Sequence, residues 1–261
     1  MAQGPSAEHA RLIRKLQTIA VVTAEEQDAL AELPMRLRVF AASADLLRED
    51  QPSTECCLIL EGLACRYKVL GAGQRQILSL HLPGDIPDLM SLHLQTMDHG
   101  LASLGRGRAA YIPHGAVREL CDRHPQLAAT LWRDTLIDAS IGREWLAGVG
   151  RRTAHERIAH LICEALVRSR ALGLMDEGAF ELPMTQAELG DATGLSTVHV
   201  NRVLQDLRRE ELITWRGRSI LVLDWERLRL AADFDAGYLH LLRDADTVAL
   251  LRPRLRTSLA D

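Results

Sequence analysis

The residues best suited to chemistry lie between Ser196 and Gln205, where hydroxyl, imidazole, amide and guanidinium groups crowd one short stretch, STVHVNRVLQ. Such a mixture of donors and acceptors suits hydrogen bonding to the edges of DNA bases in the major groove. Val200, Val203, Leu204 and Leu207 recur at spacings of three and four, which predicts a helix with one inward face. Thr197, Val198, Asn201, Arg202 and Gln205 then fall on the opposite, outward face.

The preceding residues read as the support for that helix. Thr185 is an N-cap and Glu188, three residues on, completes a capping box. Leu189 and Ala192 supply the inward face of a short first helix, and Gly190 keeps it slim. Gly194 allows the sharp turn, Leu195 plugs the angle, and Ser196 caps the second helix. The pattern predicts a helix-turn-helix, whose second helix enters the major groove. Downstream, Leu212–Trp215 and Ser219–Leu223 alternate as strands around Arg216-Gly217-Arg218, which predicts a wing. Arg216 and Arg218 at its tip are candidate phosphate contacts, the alternative being a solvated turn. For the whole unit the alternative is a helical hairpin with a packing role only.

At 261 residues, the chain has room for two cores, and 47% hydrophobic with 25% charged residues argues against global disorder. A net charge of -4 excludes DNA binding through a blanket of positive charge, so contact requires a local patch. Lys15 and Lys68 are the sole lysines; the remaining basic groups are arginines, whose forked donors fit guanine and phosphate. Met1–Ser6 is short and neutral and no apolar run approaches spanning length, so a cytoplasmic protein with no membrane partner is expected. Cys56, Cys57, Cys65, Cys121 and Cys163 show no paired C-x-x-C spacing and read as reduced, half-buried thiols. No Ser-His-Asp order, metal-spaced histidine pair or phosphate loop points to an enzyme, and no metal site is expected.

In chain order, residues 1–35 read as N-terminal helices, with a capping box at Thr23–Glu26 and a stop at Pro34. Residues 36–122 break into short apolar segments at Arg36–Ala41, Asp45–Glu49, Cys56–Leu60, Leu63–Val69, Gln74–Leu80, Leu101–Leu104 and Arg108–Ile112, the spacing of a small β-sandwich or roll. Residues 123–150 form a long helix with a strict heptad stripe: Ala128, Trp132, Thr135, Ala139, Gly142, Leu146 and Val149. That stripe predicts a seam between two copies; a helix buried within one subunit is the alternative. Gly150–Thr153 marks a hinge. Residues 151–228 make the winged helix-turn-helix, with Gly173–Glu181 as a loop; Trp225–Asp233 reads as helical, and 229–261 is a C-terminal extension of unassigned role, polar and basic-ended from Phe234 on. The fold class is α+β.

This order, together with GDATGLSTVHVNRVLQDLRREELI, resembles the Crp/Fnr family of bacterial transcription regulators from Arg36 to about Trp225. The resemblance implies a double-stranded, jelly-roll-like β-roll, a dimerisation helix and a homodimer on a palindromic promoter site that contacts RNA polymerase. It implies that Arg202 matches a base-reading arginine, whereas Thr197 and Val198 stand where family members place an Arg-Glu pair. Thr and Val offer methyl contacts to thymine, and Asn201 adds an adenine reader, or else a phosphate or solvent contact. A half-site with one Arg-read guanine amid A/T follows. Thr185, Ser196 and His199 match phosphate-touching positions.

In the roll, Leu82–Leu89 resembles the start of the family's cyclic-nucleotide cassette, making Gly84, Asp85, Asp88 and His99 the candidate effector pocket. Yet no Arg or Lys occurs between Gly84 and Gly105 to meet a phosphodiester, so no cofactor is expected. His81, His93 and His99 fit no haem or metal spacing, and no cysteine precedes Cys56 to form the family's N-terminal iron–sulfur cluster. Two functions are carried forward: a DNA-binding regulator with a scaffold-like roll, or a small-molecule receptor whose roll controls DNA binding.

Overall fold

The computed structural model describes residues 5–242. Ser6 caps α1 (Ala7–Gln17), and the Thr23/Glu26 capping box starts α2 (Ala24–Ala31). The apolar segments form β1 (Arg36–Phe40), β2 (Asp45–Leu47), β3 (Glu55–Glu61), β4 (Ala64–Val69), β5 (Arg75–His81), β6 (Gly100–Ser103) and β7 (Gly107–Pro113). These make two antiparallel sheets, β1-β7-β3 and β2-β6-β4-β5. Alternation along β3 buries both of its faces: Cys57 and Ile59 meet Phe40, Leu101 and Tyr111 inside the roll, whereas Cys56, Leu58 and Leu60 pack with Leu12, Ile13 and Leu16 of α1. The N-terminal helices therefore complete the roll's core.

After α3 (His114–Arg123), α4 runs from Pro125 to Arg151, with Pro125 at the first helical position where its missing N–H costs nothing. The expected hinge shrinks to Arg152 and Thr153, because α5 (Ala154–Ala171) starts at once on a Thr153/Glu156 capping box. The expected loop Gly173–Glu181 hides a strand, β8 (Ala179–Glu181), too short to show alternation. It pairs with β10 (Ser219–Val222), which pairs with β9 (Ile213–Arg216), so the wing has three strands. Between them lie α6 (Gln186–Thr193) and α7 (Thr197–Arg209).

The expected boundary at residue 228 falls inside α8 (Trp225–Ala231). The chain beyond it is anything but a free tail up to residue 242: Phe234 is fully buried, and its ring meets His160 edge-on at 5.0 Å. Full burial of one such ring contributes roughly 2–3 kcal/mol. Tyr238 donates to Glu164 Oε2 at 2.8 Å, and the Leu242 N–H donates to the Thr18 carbonyl at 2.8 Å, tying this segment to α5 and to the end of α1. The rest of the expected extension, residues 243–261, lies outside the described residues.

One apolar core spans the units. Leu63, Ile77 and Leu80 of the roll, Ile137 and Ile141 of α4, Ile158 and Ile162 of α5, Leu189 and Val200 of the helix-turn-helix, and Phe234 are contiguous. The winged unit is docked on its own roll. Arg75 of β5 reaches Asp191 of α6 at 2.8 Å across that junction.

Candidate nucleic-acid interface

Helices α6 and α7 meet through the small residues that the sequence marked. A Cβ on Gly190 would stand 2.5 Å from the Leu195 carbonyl oxygen, so only glycine permits this approach. Gly194 ends α6 in the left-handed region at φ 67°, and Arg157 of α5 donates to the carbonyl of Thr193, the last residue of α6, at 2.9 Å. Behind α7, Val200, Val203, Leu204 and Leu207 are buried. In front, Ser196, Thr197, His199, Arg202 and Gln205 are exposed, and Val198 is 71% exposed. A valine left in water on a recognition surface is suited to thymine methyl contact.

The remaining predicted contacts divide. Ser196 caps α7, accepting from the His199 N–H, and its hydroxyl lies 3.1 Å from His199 Nδ1. Thr185 is exposed but spent: its N–H and hydroxyl donate to Glu188 Oε2, and its oxygen accepts from the Glu188 N–H. Arg216 stands exposed at the wing turn, where Gly217 takes φ 59°. Arg218 instead leans back on Glu181 at 3.4 Å. Sequence reasoning missed Gln186, whose Oε1 accepts from Asn201 Nδ2 at 3.2 Å; only its place beside the cap hinted at it.

On α4 most of the heptad stripe faces outward, Thr135 excepted. Trp132 (62% exposed), Leu146 (74%), Ala139, Gly142 and Val149 are exposed, and Ala128 and Thr135 half-buried. Leu127, Leu131, Ile137 and Ile141 face the chain's own core. The apolar stripe is thus left largely exposed on a helix whose other face is packed.

The candidate effector residues do not converge. Asp85 lines a void of about 30 Å³ between roll and α4, with Lys15, Arg66, His81, Asp134, Thr135, Asp138 and Arg168. Gly84 packs on Lys15, Asp88 turns inward to accept from the Cys57 N–H at 2.8 Å, and His99 pairs with Asp98. The cations absent from the Gly84–Gly105 stretch come from elsewhere in the chain, but each is taken. Lys15 pairs with Asp85 (2.8 Å) and Asp134 (3.2 Å), Arg66 with Asp138, and Arg168 with Asp85 (2.7 Å) and Glu164 (3.2 Å). Burial alone would raise the Asp85 carboxyl, but Lys15 and Arg168 outweigh it and hold it well below the usual range. Burial, with Arg66 nearby, pushes His81 down to about 3, so it is neutral here.

Residues 37–124 match the cyclic nucleotide-binding domain and residues 156–231 the Crp-like helix-turn-helix domain. The chain belongs to the Crp/Fnr family. It is 27% identical to the transcriptional activator protein anr of Pseudomonas aeruginosa over 203 residues, 78% of this chain and 83% of that protein. It is 29% identical to the transcriptional activator protein FnrL of Cereibacter sphaeroides over 182 residues, 68% of this chain and 73% of that one. Among solved structures it is similar to FixK2 from Bradyrhizobium japonicum, with TM-score 0.69 and 25% identity over 76% of this chain and 98% of that chain. The expected Crp/Fnr fold and DNA-binding, transcription-regulating function therefore hold.

Crp/Fnr ligands fit this chain poorly. Three cations and three carboxylates line a void of water size, with Glu164 behind Arg168, so a phosphodiester would have to displace existing ion pairs. The cysteines do not gather for an iron–sulfur cluster: Cys57 lies inside the roll, Cys56 on the outer face of β3 beneath α1, Cys121 on α3 at the margin of that same cluster, and Cys65 and Cys163 in the junction core. Burial pushes the thiols of Cys56 and Cys65 up to about 12, far from ligating thiolates. No group of three or more metal-ligating side chains occurs among the described residues.

Proposed function

We propose that this chain acts as a homodimer on a palindromic promoter site in the cytoplasm, with α7 reading each half-site, and with a roll that serves as scaffold and not as nucleotide receptor. The observation that carries the reading is the exposed front of α7 against its fully buried back. The outward stripe of α4 supports pairing of two chains, and two recognition helices related by a two-fold axis select half-sites about one helical turn apart. Arg202 reads a guanine, Thr197 and Val198 face A·T pairs, and Ser196, His199 and Arg216 sit where they hold phosphates. The relatives named transcriptional activators support an activating role; contact with RNA polymerase is what the family resemblance adds to the proposal.

Band-shift titration with promoter fragments, paired with sedimentation equilibrium, tests the proposal. Arg202→Ala is expected to weaken binding to the preferred site about tenfold or more, while the protein stays folded and dimeric. A monomeric wild type, or unaltered binding by Arg202→Ala, would refute it.

A further inference from the structure

Asn201 is tied into a ladder of three side-chain amides. Its Nδ2 donates to Gln186 Oε1 at 3.2 Å, and its Oδ1 accepts from Gln205 Nε2 at 2.9 Å. Gln186 is the first residue of α6 and Gln205 lies one turn beyond Asn201 on α7, so the ladder crosses both helices of the motif. Gln186 and Asn201 are half-buried, and the backbone beneath Gln186 is fixed by the Thr185/Glu188 capping box.

An asparagine amide has two N–H donors and two acceptor lone pairs. The ladder uses one of each, leaving one N–H and one lone pair on Asn201. Those are the two groups required to donate to adenine N7 and accept from its N6 amino group. An exposed asparagine would scatter over several rotamers and pay to order itself on DNA; this one is held before DNA arrives.

We propose that Gln186 is a positioning residue: it holds the Asn201 amide so that Asn201 specifies an adenine in each half-site, beside the guanine read by Arg202. The proposal rests on the reading of α7 as the recognition helix. Gln186 itself touches no base; it acts through Asn201.

The test is selection of bound sequences from a random DNA pool by wild type, Asn201→Ala, Gln186→Ala and Gln186→Glu. Glutamate keeps the acceptor for Asn201 Nδ2, so it is the conservative rescue. Wild type is expected to enrich an adenine at a fixed position. Asn201→Ala and Gln186→Ala lose that preference about tenfold or more at that position alone. Gln186→Glu keeps the preference, although its added charge weakens binding to all sequences alike. A merely phosphate-bound Gln186 would lower affinity uniformly and leave base preference intact, which overturns the positioning role. Loss of preference in Asn201→Ala but not in Gln186→Ala also overturns it. An adenine preference unmoved by any variant overturns the ladder as a reader. Wild type that enriches no sequence overturns the recognition-helix reading, and with it this one.

Discussion

Replacing Arg168 with methionine should destabilise the whole chain, because its guanidinium joins the roll to the winged unit. Arg168 is 8% exposed and donates to Asp85 Oδ2 at 2.7 Å, to Glu164 Oε1 at 3.2 Å and to the Leu80 carbonyl at 3.0 Å. Methionine fills similar length but leaves two buried carboxylates short of a partner. Breaking a buried pair by removing one member costs about 3–5 kcal/mol. Asp85 keeps Lys15 and the Leu82 N–H, and Glu164 keeps donors from Trp145 and Tyr238, so the low end applies, about 3 kcal/mol. For a chain of this size that lowers Tm by about 6–12 °C. Trp145 bonds directly to Glu164, so tryptophan fluorescence during thermal and urea unfolding reads the junction. On an Asp85→Asn background the loss should shrink by about 1 kcal/mol, since a neutral amide tolerates the missing cation better than a carboxylate. A Tm change under about 2 °C, or equal losses on both backgrounds, would refute the idea that this network holds the units together.

The inward Asp88 gives the opposite sign. Burial pushes its carboxyl up to about 6 from 3.8, so its ionised form costs stability above pH 6 and that cost fades as pH falls toward 4. Asp88→Asn keeps an acceptor for the Cys57 N–H, and urea melts should show it more stable than wild type by about 2–3 kcal/mol at pH 8 and equal to it near pH 4. Gly190→Ala should open the angle between α6 and α7 and cost about 2 kcal/mol or more with loss of specific DNA binding, checked by urea melts and band shifts. Leu146→Glu, placing a charge on a residue 74% exposed in the free chain, should yield a folded monomer in sedimentation equilibrium and leave Tm of the monomer within about 2 °C.

What the sequence revealed follows from how local each signal is. The capping residues Thr23 and Thr185, the turn glycine Gly194 and the period of Val200–Leu207 act within one or two helical turns, and all stand where they were read. The strands of the roll were legible because turn residues bound each one. The cavity was misjudged because its cations are brought together only by folding: Lys15 comes from α1, Arg66 from β4 and Arg168 from α5. A window around Gly84–Gly105 cannot contain them. β8 is three residues long and shows no alternation, so nothing local marked it. Phe234 and Tyr238 sit among charged residues that mask their burial against His160. The pairing of Gln186 with Asn201 depends on the angle between two helices, which Gly190 sets but no spacing rule reveals.

Hydroxyl-radical footprinting of a selected site, combined with the mass of the complex and repeated with cyclic AMP, tests the central claim most directly. The account predicts two chains per duplex and two protected half-sites about one helical turn apart on one face, unchanged by the nucleotide. A single chain on one protected patch, or protection that appears only with cyclic AMP, would contradict it.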